Sequence, residues 1–133
     1  MSGEYYSNQP VSTAFSSKVL TASAADARYE FYTAGFQRLT LDLNYAMGAA
    51  ETSNKLHFTL EHSPDDGVNW YSLVIDSTST VSAISPRIWE VTGTSKVNVI
   101  VDIAYKKMRL SLYESGVVTN AGTASVTYTL SGL

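Results

Sequence analysis

Two histidines and three carboxylates lie within ten residues of one another, in the stretch "LHFTLEHSPDDGVNW". The side chains are those of His57, Glu61, His62, Asp65 and Asp66. Imidazoles and carboxylates bind metal ions, and they also carry out acid–base catalysis. The same stretch contains Pro-Asp-Asp-Gly, which is typical of a turn. It is therefore a candidate active site, a candidate metal loop, or a bend between two strands.

The spacing of the two histidines argues against a zinc site. His57 and His62 are five positions apart, and an odd offset places side chains on opposite faces of a strand. Zinc usually takes three or four nitrogen or sulfur ligands, but the chain has two histidines and no cysteine. Asp65 and Asp66, with Asn69, offer oxygen atoms for calcium. The alternating ligands and closing glutamate of a calcium loop are absent, so a hairpin turn is favoured, with an ion at Asp65–Asp66 as the open alternative.

The acidic residues also fail the main test for a hydrolytic site. Glu61 with Asp65 or Asp66 would need to face its partner across a cleft ~5–10 Å wide to cleave a glycosidic bond. Neighbours on one hairpin tip do not form such a cleft. The chain has neither a nucleophile elbow paired with histidine nor a glycine-rich phosphate loop. We expect no catalytic residue, no cofactor and no metal, and hence no enzyme.

The elements that carry these residues read as strands. Apolar and polar residues alternate in five long segments, which is the period of a sheet with one buried face. We predict eight to nine strands in an all-β, antiparallel β-sandwich, with a jelly-roll type first and an immunoglobulin-like type second. Residues 1–16 are expected to form an extended N-terminal arm, and residues 17–133 a single sandwich domain. The five segments are "QRLTLDLNY", "KLHFTLEHS", "KVNVIVDI", "KKMRLSLYES" and "TASVTYTLSG".

Composition limits the classes of partner. The net charge is −3, and no basic cluster exceeds Lys106-Lys107 with Arg109 nearby, so no nucleic-acid partner is expected. No window approaches the ~20 apolar residues of a membrane span, and no membrane partner is expected. The first ten residues lack the basic start and apolar stretch of a signal peptide.

Aromatic side chains are the best candidates for contact with other molecules. The chain has nine tyrosines and two tryptophans. Large aromatic side chains in strands usually belong to a core or an interface, because they bury a large area. We predict Trp89 as a core anchor and expect Trp70 in a core or an interface. The alternative is a platform for sugar rings, formed by these tryptophans or by surface tyrosines. Interface residues are predicted at Tyr5, Tyr6, Phe15 and Arg87.

Two segments resemble a known group of proteins. The stretch "HSPDDGVNWYSL" resembles the Ser-x-Asp-Gly-x-x-Trp hairpin found in β-sandwich virion proteins of tailed bacteriophages, and also in discoidin-like and carbohydrate-binding sandwiches. Ser63, Asp66, Gly67 and Trp70 match by type, with one extra residue in the spacing. The run "KKMRLSLYESGVVTNAGTASVTYTLSG" looks like the last hairpin of such phage proteins, with two strands joined across a glycine-containing loop.

This resemblance implies a structural role in a virion. A cement or decoration protein of that kind would sit on the capsid exterior after synthesis in the host cytoplasm. It would bind the major capsid protein and copies of itself, as a homotrimer. The alternatives are a tail or head-fibre component, or a carbohydrate-binding β-sandwich module.

Overall fold

The computed structural model describes residues 10–73, 82–85, 88–103 and 106–132, with the backbone alone for 82–85, 88 and 89. Within these ranges the chain forms ten strands and one short 3₁₀ helix, Ala24–Asp26, which follows the first strand. The strands are β1 Ser12–Val19, β2 Arg28–Tyr32, β3 Arg38–Ala46, β4 Lys55–Ser63, β5 Tyr71–Ser72, β6 Ser82–Ser85, β7 Ile88–Thr92, β8 Ser95–Asp102, β9 Lys107–Ser115 and β10 Thr123–Ser131.

The strands form two antiparallel sheets. One sheet has the order β1-β10-β3-β8, and the other has the order β2-β9-β4-β7-β6, with β5 paired to the end of β4. Four of the pairs are nested: β4 with β7, β3 with β8, β2 with β9, and β1 with β10. A long antiparallel ribbon folded over itself in this way has jelly-roll topology. The predicted all-β sandwich of jelly-roll type is therefore confirmed.

The core lies between the two sheets and follows the predicted alternation. On β3 the side chains of Leu39, Leu41 and Leu43 are buried, while Asp42 and Asn44 are exposed. The same alternation on β4, β8, β9 and β10 brings leucine and valine side chains of both sheets together. The buried side chains on these four strands include Leu56, Phe58, Leu60, Val97, Val99, Val101, Met108, Leu110, Leu112, Ala124, Val126 and Leu130.

The first strand overlaps the segment, residues 1–16, that was predicted as an extended N-terminal arm. Strand β1 begins at Ser12 and pairs with β10, so residues 12–16 belong to the four-stranded sheet. The ring of Phe15 is half-buried and packs edge-on against Tyr29, with 6.1 Å between ring centroids. The pairing with β10 and this aromatic contact hold the segment on its own domain. Residues 1–9 lie outside the described ranges.

One prediction drawn from the sequence is corrected by the strand pairing. The C-terminal run is not a hairpin. Strand β9 pairs with β2 and β4, whereas β10 pairs with β1 and β3 in the opposite sheet. The loop between β9 and β10 therefore crosses from one sheet to the other.

A buried polar cluster holds this crossing loop. The Glu114 carboxylate is 2% exposed and accepts hydrogen bonds from the Tyr45 hydroxyl, the Asn54 amide (3.2 Å) and the Gly122 backbone amide (2.7 Å). Buried polar groups cost free energy unless they are hydrogen-bonded. Burial, followed by the hydrogen bond to Glu114, raises the pKa of Tyr45 far above its usual value. Within the described ranges, no helix is long and apolar enough to cross a bilayer.

Candidate functional site

The Pro-Asp-Asp-Gly segment forms the predicted turn between β4 and β5. Asp66 and Gly67 have φ values of 59° and 92°, which lie in the left-handed region favoured by glycine and tolerated by aspartate. The Ser63 hydroxyl accepts the Gly67 amide at 2.7 Å and donates to Asp65 at 2.8 Å. Asp65 accepts the backbone and side-chain amides of Asn69. These bonds, led by the Asn69 backbone amide, lower the pKa of Asp65.

The two histidines are separated as their spacing predicts, but one of them is not solvent-facing. Strand β4 keeps an unbroken register with β9 from Lys55 to Ser63, so His57 and His62 lie on opposite faces. His57 alternates with the core residues Leu56 and Phe58 and so lies on the outer face of β4, yet it is 6% exposed. The Tyr113 ring stacks on it, with 4.7 Å between centroids and 9° between planes. Among the described residues, no group of three histidine, aspartate or glutamate side chains is placed to hold a metal ion.

His57 does contact a serine, which the sequence pattern did not indicate. Its Nε2 lies 2.8 Å from the Ser115 hydroxyl and 3.9 Å from Glu90 Oε2. A catalytic triad requires the carboxylate on Nδ1, opposite the serine. Here serine and carboxylate approach the same nitrogen, and Nδ1 is buried with no hydrogen-bond partner in the described structure. The serine and the carboxylate are therefore not on opposite sides of the imidazole, as a catalytic triad requires.

The outer face of the larger sheet carries one ordered ion pair beneath a tryptophan. Glu61 on β4 faces Arg109 on β9, and Glu61 Oε1 accepts from Arg109 Nε at 2.9 Å and Nη2 at 2.8 Å. The guanidinium lies over the Trp70 ring, 4.3 Å from its centroid. Trp70 is half-buried on this outer face and lies outside the core between the two sheets. The side chain of Trp89 lies outside the described atoms.

A second chain of contacts runs along the same sheet to an exposed tyrosine. Lys107 Nζ lies 3.1 Å from Glu30 and 5.3 Å from the centroid of the Tyr32 ring, within the range of a cation–π contact. The hydrogen bond to Glu30 is the main cause of the raised pKa of Lys107. The Tyr32 hydroxyl points at Asp66, 3.5 Å away, at the limit of a hydrogen bond. Tyr32 is 66% exposed, yet its ring is oriented by both neighbours.

Tyr32 borders an open groove of about 720 Å³ at one end of the sandwich. The end of β2, the turn after β4 and the segment before β9 meet there, because Tyr32 pairs with Lys107 and Ser63 pairs with Lys107 from the other side. We call this the Tyr32 groove. Its volume lies within the usual range of ligand sites. Its lining includes Tyr32, Phe36, Asp65, Asp66, Ile103 and Lys106.

The groove offers groups for stacking and hydrogen bonding. Tyr32 supplies an aromatic face, Asp66 supplies acceptor oxygens, and Lys106 supplies an ammonium donor. Asp65 also lines the groove, but both of its carboxylate oxygens already bond to Asn69 in the turn.

Sequence patterning did not identify this groove. Its groups come from three segments that are distant along the chain, and none of these segments forms a short motif. The available signal was the unusual number of tyrosines. Of the predicted interface residues, Phe15 packs within its own domain, while Tyr5, Tyr6 and Arg87 lie outside the described ranges.

The fold and this groove define a jelly-roll β-sandwich domain with a polar, aromatic cleft at one end. No family model matches the chain, and no curated protein matches it. The solved structures that are distantly similar to this chain include the three that follow.

The first is the cleaved adhesin domain of Lys-gingipain from Porphyromonas gingivalis, with 16% identity, a TM-score of 0.42, and coverage of 78% of this chain and 59% of that one. The second comprises the CBM22-1–GH10 modules of endo-1,4-β-D-xylanase 10B from Clostridium thermocellum, complexed with xylohexaose, with 7% identity, a TM-score of 0.45, and coverage of 96% and 26%. The third is the Eiger TNF from S. frugiperda, with 9% identity, a TM-score of 0.37, and coverage of 81% and 66%. The chain spans less than two thirds of each structure, and likenesses this distant assign no function.

Proposed function

We propose that this domain is a non-enzymatic binding module that attaches to carbohydrate through the Tyr32 groove. The observation that carries the proposal is the exposed Tyr32 ring, which Lys107 and Asp66 orient beside a groove of ligand size. A pyranose ring has apolar C–H faces that pack on an aromatic ring, and hydroxyls around its rim that need polar partners. An oriented tyrosine flanked by a carboxylate and an ammonium meets both needs.

The surrounding contacts reduce the entropy cost of such binding. Side chains that are mobile before binding lose rotamer freedom when a ligand orders them, at ~0.5–1.5 kcal/mol each. Lys107 is already paired with Glu30, and Asp65 is held by Ser63 and Asn69. The turn that carries Asp66 is therefore rigid before ligand arrives, which favours binding by a largely preformed surface.

A glycan array followed by calorimetry of any bound oligosaccharide tests this proposal. Tyr32→Ala should weaken binding about tenfold, since loss of a stacking ring removes ~1 kcal/mol or more. Tyr71→Ala is the matched control, because Tyr71 is also exposed (56%) and does not line the groove. Its affinity should stay within about twofold of wild type. Binding of no glycan by the wild type, or equal losses in the two variants, would rule the proposal out.

A second candidate is the virion role that the hairpin resemblance implies. The observation that supports it is the β4–β5 turn, where Asp66 and Gly67 have positive φ values and Trp70 directly precedes the returning strand β5. In this role the domain would be a cement or decoration protein that binds the major capsid protein on the virion exterior as a homotrimer. A tail or head-fibre position is the variant of this role.

Two measurements test the virion role. One is binding of the protein to purified expanded capsids, and the other is heating of those capsids with and without the protein. Saturable binding and delayed capsid disruption are expected, because weak contacts repeated around a shell add up through multivalency. Microscopy of assembled particles would distinguish the capsid exterior from a tail or fibre. Capsids that neither bind the protein nor gain stability would exclude the decoration role.

A further inference from the structure

Carboxylates outnumber ammonium groups around the Tyr32 groove, and one of the ammonium groups is already paired. Three carboxylates surround it: Asp65 and Asp66 in the lining, and Glu30 beside it. Two ammonium groups oppose them, Lys106 and Lys107. Lys107 lies beside the groove and is already paired with Glu30 at 3.1 Å. Lys106 is the cation among the described lining residues, and it has no carboxylate partner within 4 Å.

From this imbalance we infer that the Tyr32 groove selects uncharged glycans and rejects acidic ones such as uronates. The inference rests on the proposed carbohydrate function and names its substrate class. A neutral sugar donates its hydroxyls to Asp66, whose oxygens are acceptors only. A uronate brings a carboxylate close to Asp66 and Asp65, and like charges brought together weaken binding.

The turn keeps this repulsion in place. Asp65 and Asp66 cannot move away easily, because the Ser63, Gly67 and Asn69 bonds fix the backbone that carries them. The Tyr32 ring and its Lys107 contact fix the opposite wall. A bound uronate would therefore remain near the two carboxylates, and the uncommitted Lys106 balances only one of them.

A matched pair of oligosaccharide probes tests the inference. One is a neutral gluco-oligosaccharide bound by the domain, and the other is the same chain with its C6 alcohols oxidised to carboxylates. At low ionic strength the oxidised form should bind about fivefold more weakly or worse, as expected for one unfavourable charge contact near the surface. In concentrated salt the difference should shrink, because ions screen exposed charges.

Two isosteric variants locate the effect. Asp66→Asn should bring the oxidised probe to within about twofold of the neutral one, since it removes a charge from the groove. Asp42→Asn changes the net charge equally, but Asp42 is exposed on the outer face of the other sheet, bonded to Asn98. It should leave the discrimination intact.

The outcomes separate the two ideas. Equal binding of both probes by wild type at low salt would overturn the charge selection while leaving the carbohydrate function standing. An equal effect of Asp42→Asn and Asp66→Asn would overturn it as well, because net charge alone would then explain the data. If no neutral or oxidised glycan binds, the carbohydrate function falls and the inference falls with it.

Discussion

At the scale of single residues, the outer face of the larger sheet is organised by paired contacts. Glu61 and Arg109 are 18% and 15% exposed at the side chain, and their pair lies beneath the half-buried Trp70 ring. By contrast, Arg38 and Asp102 are separated by 3.9 Å on an exposed face. Exposed pairs contribute little because water and salt screen them, whereas an ion left alone in a largely buried site is costly.

Arg109→Met is expected to lower the free energy of unfolding by about 2–3 kcal/mol, because it leaves the Glu61 carboxylate poorly solvated and unpaired. Urea denaturation of the variant measures this change. Arg38→Met serves as the control and should change stability by less than about 0.5 kcal/mol. Equal and small effects of the two substitutions would mean that the Glu61–Arg109 pair is as well hydrated as the surface pair.

At the scale of elements, β1 is part of the sandwich. Its pairing with β10 is irregular, with register shifts on either side of Phe15 and a left-handed residue at Ser17 (φ 47°). The Phe15 ring begins an aromatic cluster that continues through Tyr29 to Phe31 and Tyr128. Side-chain packing therefore holds this edge strand in place where the ladder of hydrogen bonds is interrupted.

Phe15→Ala should destabilise the domain by about 1–2 kcal/mol, because the half-buried ring leaves its contact with Tyr29. Thermal and urea unfolding, together with sedimentation velocity, provide the readouts. Val19→Ala is the control in the same strand, since Val19 is exposed, and should cost less than about 0.5 kcal/mol. Unchanged stability with a smaller assembly would instead restore Phe15 as an interface residue.

The loops opposite the Tyr32 groove are interlocked. Glu51 in the β3–β4 loop accepts the backbone amides of Val118, Thr119 and Asn120 in the β9–β10 loop. The Asn120 side-chain amide donates a hydrogen bond to the Ala49 carbonyl oxygen at 2.7 Å. The backbone of Gly48 approaches Asn120 so closely that an added Cβ would lie 2.0 Å from its carbonyl oxygen. The close approach thus requires glycine at position 48.

Gly48→Ala should reduce stability by about 1–3 kcal/mol, because the new methyl group overlaps a backbone atom that cannot rotate away. Ala50→Gly, two residues further along the loop, should be neutral or stabilising by up to about 1 kcal/mol, since Ala50 has a φ of 62° that glycine adopts more easily. Chemical denaturation measures both. A Gly48→Ala variant as stable as wild type would mean that the two loops separate at little cost.

At the scale of the whole molecule, the nested ribbon makes the domain depend on pairings between distant segments. Strands β1 and β10 come from opposite ends of the described chain, and β4 meets β9 in a register that spans nine residue pairs. In the folded ribbon His57 is buried between Tyr113 on β9 and Glu90 on β7. Acid stability is therefore a property of the assembled sandwich.

We predict that the domain loses stability as pH falls below the ordinary histidine pKa of 6.5. Burial lowers the pKa of His57, with Lys55 adding to the effect and Glu90 opposing it, and burial also lowers the pKa of His62. The unfolded chain then binds protons that the folded chain does not, below an ordinary histidine value near 6.5. Stability is complete above that value and falls as pH drops through it toward the folded pKa.

Equilibrium unfolding at several pH values measures this slope, and His57→Phe isolates one contribution while keeping a ring against Tyr113. The variant should show a shallower decline, with the remainder due to His62. Asp65 and Glu51, whose pKa values are also lowered, titrate at more acidic pH and stay outside this window. Identical slopes in wild type and variant would show that His57 carries its proton equally well in both states.

The sequence alone determined what local periodicity and turn chemistry can specify. Alternation at Leu39–Leu43 and Leu56–Leu60 defined strands and their buried faces, and Pro64–Gly67 defined the turn. The contacts of Glu61 with Arg109 and of Tyr32 with Asp66, and the burial of His57, depend on how the two sheets fold and pack. An alternation with a period of two shows which face of the sheet a side chain occupies. It does not show which distant strand lies beside that side chain. That choice comes from the packing of the whole core, because β4 and β9 are joined only through the folded ribbon.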